Sequence, residues 1–474
     1  MATPWLDLCG DLHFGAVGVV EPTKRLRTDH HADLGVLDRD VPGGAVGGSH
    51  ITVLLGLENY SAAGMNTRFR TWLVASVLLL MVACGDDGRT ADETAADPAP
   101  TVEVEAPSAS PVPPTPVPPT EVPTAAPTAT PEPSPERYDA AGPWMAGVLT
   151  VTVNDRDVEI WYPVEPGEVA GQDSEIFDAL GAFPENLQAL IPSELSGEFD
   201  TGAFRDAPPA DGEFPVVIYG HGFGGYRQVA TTYTTHLASW GYVVASMDHL
   251  ERGLAEQALD TIGQGAFDET NQRENAAVAD VQDLLDLMVE LNTSGSLAQR
   301  IDVSRVGITG HSAGAWAAVE SALAEPERIQ TWVSIAGGAA SAPPPQPGVV
   351  VIGEFDAVVE PERSEELFAS TTSAALLVNI ANAGHNSFTD ACFGIRDIGG
   401  LGSLVGLLGE AQVARAEDGC VERFVDPAVA QQLLNHVTVA HLRTEFGQDI
   451  AAGSLDRGFL EEIAALADYR VSPE

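Results

Sequence analysis

Two unbroken apolar runs, FPVVIYG (214–220) and YVVASMDH (242–249), flank YRQVATTYTTHLASW, which reads as a helix. Runs apolar on both sides of the pleat belong to buried strands, and a helix between them makes a parallel crossover. Upstream, VLTVTV (148–153) and VEIWYPV (158–164) alternate around NDRD and predict a hairpin. Downstream, NAAVADVQDLLDLMVEL (275–291) has helical spacing, and VGITGHSAGAWAAVESALA (306–324) reads strand, sharp turn, helix. IQTWVSIAG (329–337), GVVVIGEFD (348–356) and ALLVNIANAGH (375–385) supply three more strands. The pattern predicts an α/β fold over 138–474. Its central sheet is mostly parallel, with helices on both faces and an N-terminal antiparallel hairpin.

The chain before that domain is organised differently. MNTRFRTWLVASVLLLMVAC (65–84) has Arg68 and Arg70, then an apolar core from Trp72 to Val82, then small residues before Cys84. That is the layout of a secretory signal. Its MVAC resembles a bacterial lipoprotein box, with Cys84 as the lipid-bearing residue and Met81 where Leu is usual. The run falls short of the roughly 20 residues a spanning helix needs. Such a signal belongs at a beginning, so Met65 is the expected start, with 1–64 a gene-start artefact or disordered. Residues 85–137, rich in Pro, Thr, Ala and Glu, read as an extended linker with a reach on the order of 100 Å. The expectation is an exported, envelope-anchored lipoprotein.

Formal net charge is −46 over 474 residues, and Lys24 is the only lysine. That balance disfavours nucleic acid and anionic membrane surfaces, leaving the lipid anchor as the membrane contact. Salt adaptation and genomic base composition both produce it. Cys392 and Cys420, the globular part's two cysteines, are expected to form a disulfide in an oxidising compartment, against two buried free thiols. Between them IGGLGSLVGLLGEAQVARA (398–416) reads as a mobile cover or an ordinary buried helix. IFDALGAFPENLQALIP (176–192) reads as a pocket wall or core.

The chemistry starts from an ambiguity. In VVIYGHGFGGYRQ (216–228), Gly220, Gly222 and Gly225 spell G-x-G-x-x-G, with Asp248 about 20 residues on, as a dinucleotide loop requires. Yet Gly310-His311-Ser312-Ala313-Gly314 is G-x-S-x-G at a strand-to-helix junction, the setting of a nucleophile elbow. A serine hydroxyl needs a base held by a third group. Asp356 and His385 follow the next suitable strands in the order Ser, acid, His, which places all three at one sheet edge. Glu354 is the weaker acid candidate; His436 and His441 read as packing or surface residues. An oxyanion needs preorganised donors, for which the amides of Phe223 and Ala313 are the natural pair. HGFGG then reads as an oxyanion loop. The dinucleotide reading leaves GHSAG, Asp356 and His385 unused. A non-catalytic binding module of the same fold usually has a broken triad, and none is broken here.

HGFGG, GHSAG, GEFDAVV, AGHNSF and the opening AGPWMAGVLTVTVNDRDVEIWYP resemble the α/β-hydrolases grouped around bacterial platelet-activating-factor-acetylhydrolase-like, chlorophyllase-like and polyester-hydrolase (cutinase-like) enzymes. The resemblance covers most of 142–390. It implies an α/β-hydrolase fold, a triad of Ser312, Asp356 and His385, and an oxyanion hole from Phe223 and Ala313. It also implies an ester substrate, lipid, small acyl ester or polyester, with no metal or cofactor. MDHLERG and residues 172–208 and 393–419 depart from its pattern.

Overall fold

The computed structural model describes residues 136–188, 198–249, 252–255, 273–405, 409–448 and 453–472. Residues 1–64, the signal-like segment with Cys84, and the linker up to residue 135 lie outside them. β1 (Met145–Val153) and β2 (Arg156–Val164) form the predicted hairpin, with Val153 opposite Arg156. The two turn residues, Asn154 and Asp155, both have positive φ (49° and 61°), as a type I′ turn demands.

β6 (Phe214–Gly220), β7 (Val243–Met247), β8 (Ile301–His311), β9 (Thr331–Ile335), β10 (Gly348–Gly353) and β11 (Ala375–Ile380) form the parallel block. With β5 (Ala203–Arg205) and β12 (Leu466–Val471) at the edges, the sheet runs β12-β11-β10-β9-β8-β6-β7-β2-β1-β5. β12 is antiparallel to β11, and β2 to β7. β3 (Ile176–Asp178) and β4 (Glu198–Asp200) make a separate ribbon. The helices are α1 (Thr231–Ser239), α2 (Arg273–Thr293), α3 (Ala313–Ala324), α4 (Pro361–Ser370), α5 (Ala391–Asp397), α6 (Glu410–Glu417) and α7 (Pro427–Glu445).

Alternation along the strands divides the core. Val217, Val244, Val349 and Val351 pack with Leu237 of α1 and Leu433, Leu434 and Val437 of α7. Val216, Ile218, Val243, Val350 and Ile352 pack with Leu284 and Met288 of α2, Val319 of α3 and Leu367 of α4 on the other face. The fold is the expected one, with two differences. The segment 226–240 is helical only from Thr231, because 226–230 is drawn into turns. β8 starts at Ile301, beyond the predicted run, with a register shift opposite Pro215 and Val216.

β8 passes into α3 through one residue, Ser312, at φ 57° and ψ −123°. This left-handed, non-glycine conformation is strained and persists only where its surroundings enforce it. The enforcement is steric. A Cβ on Gly314 would lie 2.1 Å from the Gly220 carbonyl oxygen, and one on Gly310 would lie 2.3 Å from that of Gly314. Only hydrogen fits, so α3 starts flush against the end of β6.

Two predictions follow from this packing. Gly314→Ala lowers unfolding free energy by about 1–3 kcal/mol or more, whereas Gly458→Ala, whose Cβ meets nothing within 4 Å, stays near wild type; urea denaturation checks both. The second concerns acid. Burial pushes His236 and His441 down to about 4, and His221 and His311 down to about 3. They stay neutral in the fold while the unfolded chain takes up protons below about 6.5. Their contribution is therefore intact above that pH and is lost as pH falls through it, on the order of 1 kcal/mol per histidine per pH unit. Asp390, pushed up to about 6 by burial, acts in the opposite sense and is outnumbered. Tm at about 1 M salt, which screens the surface self-repulsion, is expected to drop from pH 7 to pH 5.

Candidate active site

Ser312 sits half-buried at the C-terminal edge of the sheet, at the N-terminus of α3, whose dipole favours negative charge. Asp356 follows β10, and His385 opens a 3-10 turn (His385–Phe388) after β11. Both are buried, each 5% exposed. His385 Nδ1 lies 2.8 Å from Asp356 Oδ2. Asp356 Oδ1 accepts from the amides of Val358 (2.9 Å) and Val359 (2.8 Å). A carboxylate so placed accepts only, so His385 Nδ1 carries the proton and Nε2 keeps its lone pair. Glu354 is used elsewhere, accepting the Asn382 amide at 2.9 Å.

His385 is tied to the serine's strand through His311. Its ring centroid is 4.8 Å from that of His385, and its Nε2 donates to the His385 carbonyl at 2.9 Å. The Ser312 hydroxyl itself makes no hydrogen bond among the described residues. Serine–histidine bonds are often long in unliganded sites and tighten when substrate is bound.

The loop after β6 lies against this junction. A Cβ on Gly222 would come within 3.0 Å of the Ser312 Cβ. His221 Nε2 accepts the His249 amide (3.2 Å), so its Nδ1 is the protonated nitrogen and donates to the Gly222 carbonyl (2.8 Å). The Gly225 amide donates to that carbonyl too, at 3.1 Å. In a trans peptide this turns the Phe223 N–H the opposite way. Neither the Phe223 nor the Ala313 amide has an acceptor among the described residues. Among the described residues both amides are thus unpaired, one on the residue after Ser312 and the other on the residue after Gly222.

The dinucleotide reading loses its supports. The helix starts at Thr231, six residues after Gly225, so the glycines open no helix. The Gly224 amide is spent on the Arg252 carbonyl (2.7 Å). Asp248 holds Arg227, accepting its backbone amide at 2.8 Å and its guanidinium. Sequence reasoning missed the network behind the loop. His249 Nδ1 lies 2.8 Å from Asp280 Oδ2, Asp280 pairs with Arg156, and Arg252 Nε donates to the His221 carbonyl at 2.8 Å. The one signal was MDHLERG, set apart as a departure.

His436 and His441 are structural. His436 bridges the Tyr138 amide (3.0 Å) and the Ser454 carbonyl (2.8 Å), and His441 meets Thr331 at 2.6 Å. Cys392 and Cys420 form the disulfide. Around it Ile395, Leu401, Val413 and Ala416 close a small core of their own, so this part of the segment is packed; 406–408 lie outside the described residues. In the 176–192 stretch Phe177 stacks on Tyr226, centroids 5.8 Å apart, and Phe183 and Leu187 join the same cluster, while 189–192 lie outside the described residues. A cavity of about 320 Å³ opens beside the acid loop, lined by Phe355, Ala357, Asp418, Arg423 and Phe424.

Comparison with known proteins finds matches in sequence and in structure. The family described as "Platelet-activating factor acetylhydrolase, isoform II" matches residues 154–282, which include the loop at 221–225 but not 312, 356 or 385. A platelet-activating factor acetylhydrolase of Cavia porcellus is 24% identical over 335 residues, 62% of this chain and 71% of that one. Its namesake from Canis lupus familiaris is 22% identical over 300 residues, 55% of this chain and 64% of that one, so less than two thirds of that relative is spanned. Among solved structures, a ferulic acid esterase from Streptomyces cinnamoneus superposes with a TM-score of 0.47 at 20% identity, over 69% of this chain and 96% of that one. The sheet topology is that expected of an α/β-hydrolase, and the sequence matches support a resemblance to the platelet-activating-factor-acetylhydrolase-like group.

Proposed function

We propose that this chain is a serine hydrolase that cleaves carboxylic esters through an acyl-enzyme. The observation that carries the reading is the Asp356–His385 pair, held by His311 beside the strained Ser312. His385 Nε2 takes the Ser312 proton as Oγ attacks the acyl carbon, and Asp356 stabilises the imidazolium. The Phe223 and Ala313 amides receive the charge that develops on the carbonyl oxygen, an effect worth several kcal/mol. Collapse expels the alkoxide, which takes the proton from His385 and leaves as the alcohol. Water then gives a proton to His385 and attacks the acyl carbon. The acid departs as Ser312 recovers its proton. The net change is ester plus water to acid plus alcohol. The acetylhydrolase names of the relatives support a short acyl group.

We place the enzyme at the cell envelope, lipid-anchored through Cys84, with 85–137 as its spacer. This reading rests on the signal-like composition of 65–84.

Treatment of the purified chain with a fluorophosphonate is expected to place one label on the peptide containing Ser312 and none on Ser312→Ala. An unlabelled wild type would overturn the esterase reading and leave a binding module. Asp356→Asn, which removes the group holding the imidazole tautomer, is expected to lower kcat about 10⁴-fold with the fold intact by circular dichroism. For the anchor, Cys84→Ala is expected to move the protein from the membrane fraction to the medium; a wild type already soluble would refute it.

A further inference from the structure

One buried carboxylate outside the proposed triad touches both loops that carry its acid and base. Asp418, 3% exposed, lies between α6 and the disulfide cysteine Cys420. Its Oδ2 accepts the amide of Ala357, the residue after Asp356, at 2.8 Å. Its own carbonyl accepts the Asn386 amide at 2.8 Å. The neighbours reinforce the contact: Asn386 Nδ2 donates to the Arg415 carbonyl (2.8 Å), and Ser387 Oγ to that of Gly419 (3.1 Å). The approach is too close for a side chain on the facing residue, since a Cβ on Gly384 would lie 2.4 Å from Asp418 Oδ1. Burial and the nearby Asp356 charge push Asp418 above the usual carboxylate range, with the Ala357 amide pulling the other way.

We propose that Asp418 is a positioning residue that fixes the Asp356 loop against the His385 loop, and that the Cys392–Cys420 disulfide delivers it there. The inference rests on the esterase reading above. The two loops leave adjacent parallel strands, β10 and β11, whose ladder ends at Gly353 and Ile380. Beyond that point backbone pairing between them comes down to the Glu354 amide on the Ile380 carbonyl (3.0 Å) and the Phe355 amide on the Ala383 carbonyl (2.8 Å). Asp418 supplies the next link outward, where the carboxylate and imidazole must meet. Its strand-free segment has no sheet register to place it. Cys420, two residues on, is bound to Cys392, seven residues past His385, so the disulfide closes a short circuit around the base loop.

Because Asp418 acts on the relative placement of two reacting side chains, its removal is expected to lower kcat and leave KM alone. A displacement of about 1 Å in such a pair costs about 10²-fold. Asp418→Ala is therefore expected to lose about 10²-fold in kcat with KM within about twofold. Asp418→Asn, which keeps the volume and an oxygen for the Ala357 amide, is expected to recover most of that loss. The double variant Cys392→Ala/Cys420→Ala is expected to lower kcat as well. Adding Asp418→Ala to it is expected to cost less than the product of the two effects, since both act through one contact. General destabilisation would move Tm without sparing KM and would give no rescue by Asn. If Asp418→Ala does not fold, the cysteine pair carries the test: kcat unchanged in Cys392→Ala/Cys420→Ala overturns the proposal. Fluorophosphonate labelling of the wild type is run alongside. A labelled wild type with an unaltered Asp418→Ala refutes only the positioning role, whereas an unlabelled wild type refutes the esterase reading itself.

Discussion

The 2.9 Å hydrogen bond from His311 to the His385 carbonyl is the interaction on which the site's geometry turns. β8 and β11 are not neighbours: β9 and β10 lie between them. Three inter-strand gaps put their ends roughly 14 Å apart, too far for a serine hydroxyl and an imidazole to meet directly. The gap has to be closed by chain leaving the sheet. His385 comes back over the ends of the intervening strands, and the side chain next to Ser312 meets its backbone. A buried imidazole held neutral at about 3 keeps its donor in place across the neutral range and adds no charge beside Asp356.

The strain at Ser312 and the closeness of the β6 loop have the same origin. Backbone in the left-handed region costs on the order of 1–3 kcal/mol for a residue that is not glycine, and hydrogen-only contacts at Gly310 and Gly314 leave α3 no room to relax it. The same absence of side chains lets the loop carrying Phe223 close over Ser312. Behind that loop lies a set of buried and half-buried charges. Glu159 on β2, 1% exposed, pairs with Arg205 at 2.6 Å and Arg227 at 3.1 Å, and Arg227 in turn holds Asp248. Removing one partner of such a set strands a buried charge, at a cost of several kcal/mol. The hairpin is thereby wired to the segment that follows the glycine-rich loop.

Much of this was legible before any coordinates because the parallel strands are short, wholly apolar and bounded by turn residues. The order serine, acid, histidine could then be placed on the ends of β8, β10 and β11. What escaped was of another kind. β3, β4 and β5 are three residues each, too short for any period to register. β12 alternates weakly and is a strand only because β11 offers an edge. Asp418 lies in a stretch without periodicity, and its partners Asn386 and Ala357 are 32 and 61 residues away in sequence, so no local pattern marks it.

The glycine-rich loop shows where local pattern fails. Gly220, Gly222 and Gly225 with Asp248 satisfy a dinucleotide spacing letter by letter, since both kinds of loop need a tight turn and free amides at the end of a parallel strand. The distinction lies in what each group faces. A phosphate loop has its last glycine at a helix N-terminus, so that amides and dipole converge on one anion. Here five residues of turn intervene, the Gly224 amide is already bonded, and the acid at 248 binds an arginine where a ribose would otherwise lie. The nearest neighbour of Gly222 is a serine 90 positions later. Such a contact belongs to the folded sheet and to no window of sequence, which is why the same thirteen residues support two chemistries until Ser312 is brought beside them.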